Sequence, residues 1–517
     1  MIELQKRSGE AGDHWLQLFS QVQDSKLESD IDRLCRDFLC NPDVTSSVPI
    51  DQVIQKFDFV PLAQTGINAE DFVAELQENM AAHSINTGSP FCIGHMTALL
   101  PNFIRPLAKL VASLNQNQVK LETAQATTFF EHQALCQLHQ AFYGHCDAYY
   151  RAQQVHSESG LGVMTSGGTL ANTTALQCAR NHSLLEFGNV EQEGLPQVLM
   201  NAGFRRSVVI CSRLGHYSIQ KSLGTLGIGR SNLLDVAVDA HQRMDLNALK
   251  AIIAQCQANN WHVIAIVAVA GTTECGAFDN IEAVADIAAE QGIHLHVDAA
   301  WGGAVIFSER HRHLLQGIER ADSITVDAHK QLYTPLGSGI VLFRNPDLLH
   351  CISTTANYII RKGSRDLGRH SLEGSRPAMV IYLQAVLQLL GRQGLGSLLE
   401  KNIETCGAMA AVIADSEDFE LLTQPQSNIF LYRYMPPAIR GKNSFTESEV
   451  HRLNEVNIAI QETQKQRGRS LVSRTLHTLP DGQSAVALRV VIANPLTEID
   501  HCVQVLDEQR SIAQRLI

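Results

Sequence analysis

The chain is short of several features that define protein classes, and each shortage narrows what it can be. Its longest uninterrupted apolar run, Val263 to Ala270, has eight residues, far below the ~20 needed to cross a bilayer. No membrane span is expected, and this run reads as a buried strand. Basic residues are in the minority: 41 Lys and Arg stand against 53 Asp and Glu, giving a formal net charge of -12 and a pI near 5.9 without a basic tail. That balance has no electrostatic footprint for nucleic acid or an anionic membrane, so a small-molecule partner is expected. The twelve cysteines, scattered from Cys35 to Cys502, contain no CxxC pair and no regular spacing. Reduced cytoplasmic thiols fit that scatter better than a disulfide framework. Cys92 and His95 have a ligand-like gap, but no second pair nearby completes four ligands, and no metal site is expected. No apolar stretch with a small-residue cleavage site follows Met1 to Gly9. No export signal is therefore expected, and the cytoplasm is the expected compartment. Internal repeats and low-complexity tracts are absent too, which leaves an ordinary globular chain.

What is present is apolar mass: 45% of the 517 residues are hydrophobic and 18% charged, enough for a large core divided into a few packed units. From about residue 160 to 345, short β-branched runs alternate with segments of helical period, the pattern of βαβ units and a parallel sheet. Expected strands are Leu161 to Met164, Ser207 to Ser212, Val263 to Ala270, His294 to Ala300, Ser323 to His329 and Ser338 to Arg344. Asp245 to Asn259 and Asn280 to Gln291 read as helices opened by capping residues, the second closed by Gly292. Gln116 to Tyr150 reads as one or two long helices. The expected organisation is an N-terminal helical segment over 1–105, a large α/β domain over 106–376, and a smaller C-terminal α/β domain over 377–517. The large domain ends in a polar, glycine-bearing stretch, 354–376, expected to be a mobile flap. In the C-terminal part Leu488 to Ile492 is an expected strand, stopped by Asn494-Pro495.

The strongest local signal is Asp327-Ala328-His329-Lys330-Gln331, at a strand end. A lysine there is usually a surface residue. Here Asp298, thirty-two positions earlier, ends another expected strand, and ligand sites in open α/β sheets collect at those carboxyl ends. A lysine amine that can hold an aldehyde, with a carboxylate that can keep a pyridine nitrogen protonated, is what pyridoxal phosphate chemistry requires. Ser166-Gly167-Gly168-Thr169, between a strand and a helix, suits a phosphate group. His216, also after a strand, has the position to stack on a ring, although a structural histidine is the commoner case among 21.

Five segments occur together in the order and spacing of one family. They are Thr165 to Thr169, the His216 segment, Gly271-Thr272-Thr273 with Phe278-Asp279-Asn280, His296 to Ala300, and Ala328-His329-Lys330. As a set they resemble the group II pyridoxal-phosphate decarboxylases, and the resemblance runs from about Pro90 to the C-terminus. It implies a type I aminotransferase-like fold and an intertwined homodimer with active sites at the subunit interface. It further implies that Lys330 carries pyridoxal phosphate as a Schiff base and that Asp298 pairs with the pyridine nitrogen. Gly168 and Thr169 would hold the phosphate, His216 would stack on the ring, Thr273 and Ala300 would flank it, and His329 would help position it. Arg489 in Leu488 to Ile492 matches an arginine set against a substrate carboxylate, and Tyr358 matches a loop tyrosine that returns a proton to Cα. Leu170 after Thr169 departs from the usual acidic or polar residue.

Ser89 to Thr97 looks most like bacterial glutamate and pyridoxal-dependent aspartate 1-decarboxylases, which implies an acidic substrate, aspartate giving β-alanine or glutamate giving γ-aminobutyrate. Gly94-His95-Met96 also recurs in diaminobutyrate and aromatic relatives, and cysteine sulfinate is a further family substrate. Transamination, a retro-aldol reaction and a cofactor-binding protein without turnover stay open as other readings.

Overall fold

The computed structural model describes residues 25–97, 99–155, 160–354, 364–442 and 445–516. The β-branched runs form the strands β1 (Gly162–Thr165), β2 (Arg206–Ser212), β3 (Leu233–Val236), β4 (Trp261–Val269), β5 (His294–Asp298), β6 (Ser323–Asp327) and β7 (Gly339–Phe343). They make one seven-stranded sheet in the order β1-β7-β6-β5-β4-β2-β3. From β3 to β6 neighbours pair in parallel, while β7 runs antiparallel to both β6 and β1. This is the mostly parallel α/β core expected from the alternating pattern. Both faces are buried, as parallel sheets require. Val208, Ile210, Ile266 and Ala268 pack toward Leu249 and Ile253 of the Leu246–Ala258 helix and Val284 of the Ile281–Gln291 helix. Their sequence neighbours Val209, Cys211 and Val267 pack on the other side with Leu176, Ala179, Ile219 and Leu223. The helix ends form as the capping residues suggest: Asp245 accepts from Asn247 N–H and Ala248 N–H, and Gly292 ends its helix at φ 62°.

Two expected strands stop two residues early, and both stop where the cavity begins. The run expected to reach Ala300 ends at Asp298, and the run expected to reach His329 ends at Asp327. Beyond those points the backbone turns out of the ladder; Lys330 N–H, for example, bonds back to Asp327 O at 3.2 Å. β3 has no counterpart among the expected strands, since four residues at a sheet edge leave no period to read. The stretch Gln116 to Tyr150 divides into helices Leu121–Ala124, Ala126–Tyr143 and Asp147–Val155, with breaks at Gln125 (φ 44°) and Gly144 (φ 66°).

The C-terminal part builds a second sheet from β8 (Phe419–Leu421), β9 (Ile429–Tyr434), β10 (Ser473–Thr478) and β11 (Ser484–Val491), in the antiparallel order β10-β11-β9-β8. Helices Gly391–Asp415, Glu447–Arg467 and Ile499–Ala513 pack against it around Phe430, Tyr432, Leu488 and Val490. The segment Ser89 to Thr97 is laced to this sheet: Ile93 N–H donates to Leu471 O at 3.0 Å, and Val491 N–H donates to Ile93 O at 2.7 Å. An added Cβ at Gly94 would lie 2.4 Å from Ser473 N, so only glycine allows that approach.

The expected flap is anchored over its second half. Leu121 N–H donates to Asp366 Oδ1 at 2.7 Å, and Gly368 N–H to Val119 O at 2.9 Å. Arg376 holds Glu131 in a buried ion pair, with Nη1 to Oε2 at 2.8 Å. Tyr358 lies outside the described residues. Among the described residues no helix is long and apolar enough to cross a membrane.

Candidate active site

The carboxyl ends of β1, β2, β4, β5 and β6 open onto one cavity of about 760 Å³. Gly168, Thr169, His216, Thr273, Asp298, Ala300, His329 and Lys330, all singled out from the sequence, line it together. They come from five strand ends spread over more than 160 residues of chain, from Gly168 to Lys330. Topology, not sequence proximity, makes them neighbours.

Ser166 and Gly167 leave β1 and Gly168 begins a helix that runs to Ser183, so the first backbone N–H groups of that helix have no intrahelical acceptor and face the cavity. A Cβ on Gly168 would sit 2.7 Å from Asp327 Oδ2, so the loop closes only without a side chain there. Next to this loop, Lys330 Nζ lies 3.0 Å from Asp327 Oδ2, and His329 Nε2 lies 3.7 Å from the same oxygen. Asp327 Oδ1 is buried without a hydrogen-bond partner, an orphan acceptor in the cavity wall. The turn after Lys330 is held by Tyr333, which adopts φ 54° and accepts a hydrogen bond from Asn402 Nδ2 at 3.1 Å. A left-handed aromatic residue persists only when its surroundings over-determine it.

Asp298 accepts from Asn172 Nδ2 at 2.9 Å and from Ala300 N–H at 3.2 Å, and is buried apart from its cavity edge. His216 caps the Tyr217–Thr225 helix, its Nδ1 accepting from Ser218 N–H at 3.3 Å. Burial lowers the His216 pKa below the usual histidine value, with Lys330 adding to that push and Asp298 and Asp327 opposing it.

Arg489 is placed differently from the rest. It is not among the residues that line the cavity; it lies next to the lining residue Thr273, with Nη1 bonded to Thr273 O, Nη2 to Gly94 O at 3.2 Å and Nε to Ser473 Oγ at 2.9 Å. A guanidinium has about five N–H donors, so three bonds leave roughly two uncommitted. Burial depresses its pKa and nearby Glu274 raises it. Glu274 is itself pushed up by burial, with one oxygen unpartnered.

Asn172, the orphaned face of Asp327 and Glu274 were not singled out from the sequence as site residues. Asn172 carries a readable signal, since it lies one turn beyond Gly168 and so on the same side of the helix. Glu274 carries none.

The cavity suits pyridoxal phosphate in kind: a glycine cradle at a helix N-terminus, a lysine amine, a buried carboxylate with free acceptor capacity, and an orphan acid oxygen. Comparison with known proteins decides the family. The model of the pyridoxal-dependent decarboxylase conserved domain matches residues 62–435. This chain belongs to that family. The decarboxylase is 39% identical over 498 residues to the aspartate 1-decarboxylase of Aliivibrio fischeri, covering 94% of this chain and 91% of that protein. It is 30% identical over 386 residues to the L-2,4-diaminobutyrate decarboxylase of Rhizobium meliloti, covering 73% and 72%. The crystal structure of mouse CSAD superposes with a TM-score of 0.84 at 26% identity, over 95% of this chain and 99% of that one. The chain is thus a pyridoxal-phosphate-dependent enzyme that decarboxylates an amino acid, on the fold its motifs implied.

Proposed function

We propose that the decarboxylase removes the α-carboxylate of L-aspartate to give β-alanine and carbon dioxide, with L-glutamate as the alternative acidic substrate. The similarity to an aspartate 1-decarboxylase along 94% of the chain carries this reading. Pyridoxal phosphate, when bound, supplies an electron sink for the pair left by departing carbon dioxide. Lys330 would hold its aldehyde carbon, and Asp298 would be the acceptor for its ring nitrogen. Gly168 and Thr169 receive its phosphate at the helix N-terminus, where the macrodipole and free N–H groups favour an anion. His216 covers the ring, with Thr273, Ala300 and His329 around it. Arg489, which does not line the cavity but is bonded to the lining residue Thr273, is assigned the grip on a substrate carboxylate, a role that requires its two uncommitted N–H groups to turn toward the cavity. Tyr358 is assigned the return of a proton to Cα.

The working unit is a homodimer with the 1–105 segment in the contact. Exposed large apolar side chains along that segment, among them Phe57, Phe59, Val60 and Leu62, support a second copy as their cover. The test is mass spectrometry of amines formed by the cofactor-loaded protein from an equimolar mixture of L-aspartate, L-glutamate, L-cysteine sulfinate, L-2,4-diaminobutyrate and L-dopa. β-Alanine as the main product is the expected result, and γ-aminobutyrate selects glutamate. A dominant product from one of the other three overturns the acidic assignment, and a keto acid without amine indicates transamination.

A further inference from the structure

A row of hydrogen bonds runs along one face of the central sheet, from the cavity at the carboxyl end of β5 to the strand's amino end. β5 reads His294-Leu295-His296-Val297-Asp298, and strand alternation turns His294, His296 and Asp298 to one face over roughly 13 Å. The pairing of β5 with β6 puts Ser323 beside His296 on that face. Asp298 Oδ2 accepts from Asn172 Nδ2 at 2.9 Å, and Asn172 Oδ1 lies 3.0 Å from His296 Nε2. His296 Nδ1 lies 2.9 Å from Ser323 Oγ, which in turn lies 2.8 Å from His294 Nε2. Asn172, His296 and Ser323 are fully buried. His294 lines a second cavity, of about 710 Å³, at the amino ends of β4 and β5. Around His294 stand His182 from the cofactor-side helix, Asp322 ahead of β6, Arg344 after β7, and His296 on its own strand.

Chemistry assigns every hydrogen in this row. The Asn172 amide nitrogen is committed as donor to Asp298 and to Ser218 Oγ at 2.9 Å, so its oxygen accepts and His296 Nε2 carries the hydrogen. Burial takes the His296 pKa down to about 4, which leaves the ring neutral and its Nδ1 an acceptor. The Ser323 hydroxyl must then donate to His296 and accept from His294 Nε2–H. All the donors point one way, toward Asp298, and each bond polarises the next.

We propose that His294, Ser323, His296 and Asn172 are positioning residues forming a one-way donor chain that holds Asp298 as the acceptor for the cofactor's ring nitrogen, so that a change at the amino end of β5 alters cofactor binding. The proposal rests on the role given to Asp298 above. Two measurements test it. In the cofactor-free protein, ¹⁵N spectra of labelled histidine, with His296→Gln to assign the signal, should show His296 neutral with its hydrogen on Nε2; a hydrogen on Nδ1 overturns the chain. Equilibrium dialysis of pyridoxal phosphate should show affinity about tenfold weaker in Ser323→Ala, the low end for an outer partner of a ligand-holding group. It should be recovered in Ser323→Thr and weakened less in His294→Leu. Wild-type affinity in a folded Ser323→Ala overturns the chain; if that variant does not fold, the His296 tautomer and His294→Leu decide. Asp298→Asn separates the two ideas. Unchanged affinity there removes the role of Asp298 itself, whereas weakened affinity there with a normal Ser323→Ala removes only the chain.

Discussion

At the carboxyl ends of the parallel strands Lys330 and Asp327 pair at 3.0 Å with side chains 16% and 4% exposed, while at the amino ends Arg344 pairs with Asp322 with side chains 49% and 23% exposed. The same strands supply both ends, so strand composition does not explain why one end faces cofactor chemistry. Direction does. Helices start just beyond the carboxyl ends, as at Gly168 and Tyr217, and their free N–H groups and positive dipole ends face that cavity. At the amino end the second cavity holds buried His262 and half-buried His294, both driven down to about 4 by burial and therefore neutral. The carboxyl end buries its ion pair in the cavity wall, while the amino end leaves its ion pair partly exposed and holds its buried histidines neutral.

The comparison breaks most sharply at Lys330. Lys330→Ala should abolish decarboxylation and the borohydride-reducible attachment of the cofactor; turnover near the wild-type rate would remove the chemical role of the carboxyl end altogether. Acid should come next in size. Beside the amino-end histidines, His139, His296 and His370 also sit at about 4 through burial, against 6.5 for the free group. The unfolded chain therefore binds more protons between about 6.5 and 4, and stability falls as pH falls through that window. Asp279, raised by burial to about 6, and Glu274, also raised by burial, oppose this, since their folded forms take up a proton first. Five histidines against two carboxyls give a net loss on the order of a few kcal/mol, read as a lower urea midpoint at pH 5 than at pH 7.5. An equal or higher midpoint at pH 5 would show that these histidines are not held neutral.

Asp298→Asn sharpens the contrast further. Activity should fall roughly 10²-fold or more, from the ~3–5 kcal/mol of a broken buried charge pair, with the thermal midpoint of the cofactor-free protein little changed. For Gly168→Ala the expected effect is ~1–3 kcal/mol on cofactor affinity, because the new methyl meets the Asp327 carboxylate. Titration of the cofactor into the variant measures it. The smallest effect belongs to the amino end: Arg344→Gln should cost no more than ~1 kcal/mol of stability and leave turnover as it was. Lost activity in that variant would blur the two ends.

Much of this was readable along the chain because the central strands are buried on both faces and appear as continuous β-branched runs, β4 above all. β10 is different: Ser473 to Thr478 alternates half-buried and exposed positions through Ser-Arg-Thr-Leu-His-Thr, too polar to announce a strand, and it exists because β11 pairs with it. Lys330, Asp298 and the Gly168 loop were legible as strand-end chemistry. The surroundings of Arg489 were not, because its partners Gly94 and Thr273 lie 395 and 216 residues away.

The sequence by itself determined which residues were candidates for the chemistry, since a lysine, a carboxylate and a glycine loop at strand ends are local signals, and it determined the alternation that turns His294, His296 and Asp298 to one face. Only the tertiary structure decided which groups surround them. Hydrogen bonds act over about 3 Å, and whether Asn172 meets Asp298, or Ser323 meets His296, depends on strand order and register, which no local stretch of sequence contains.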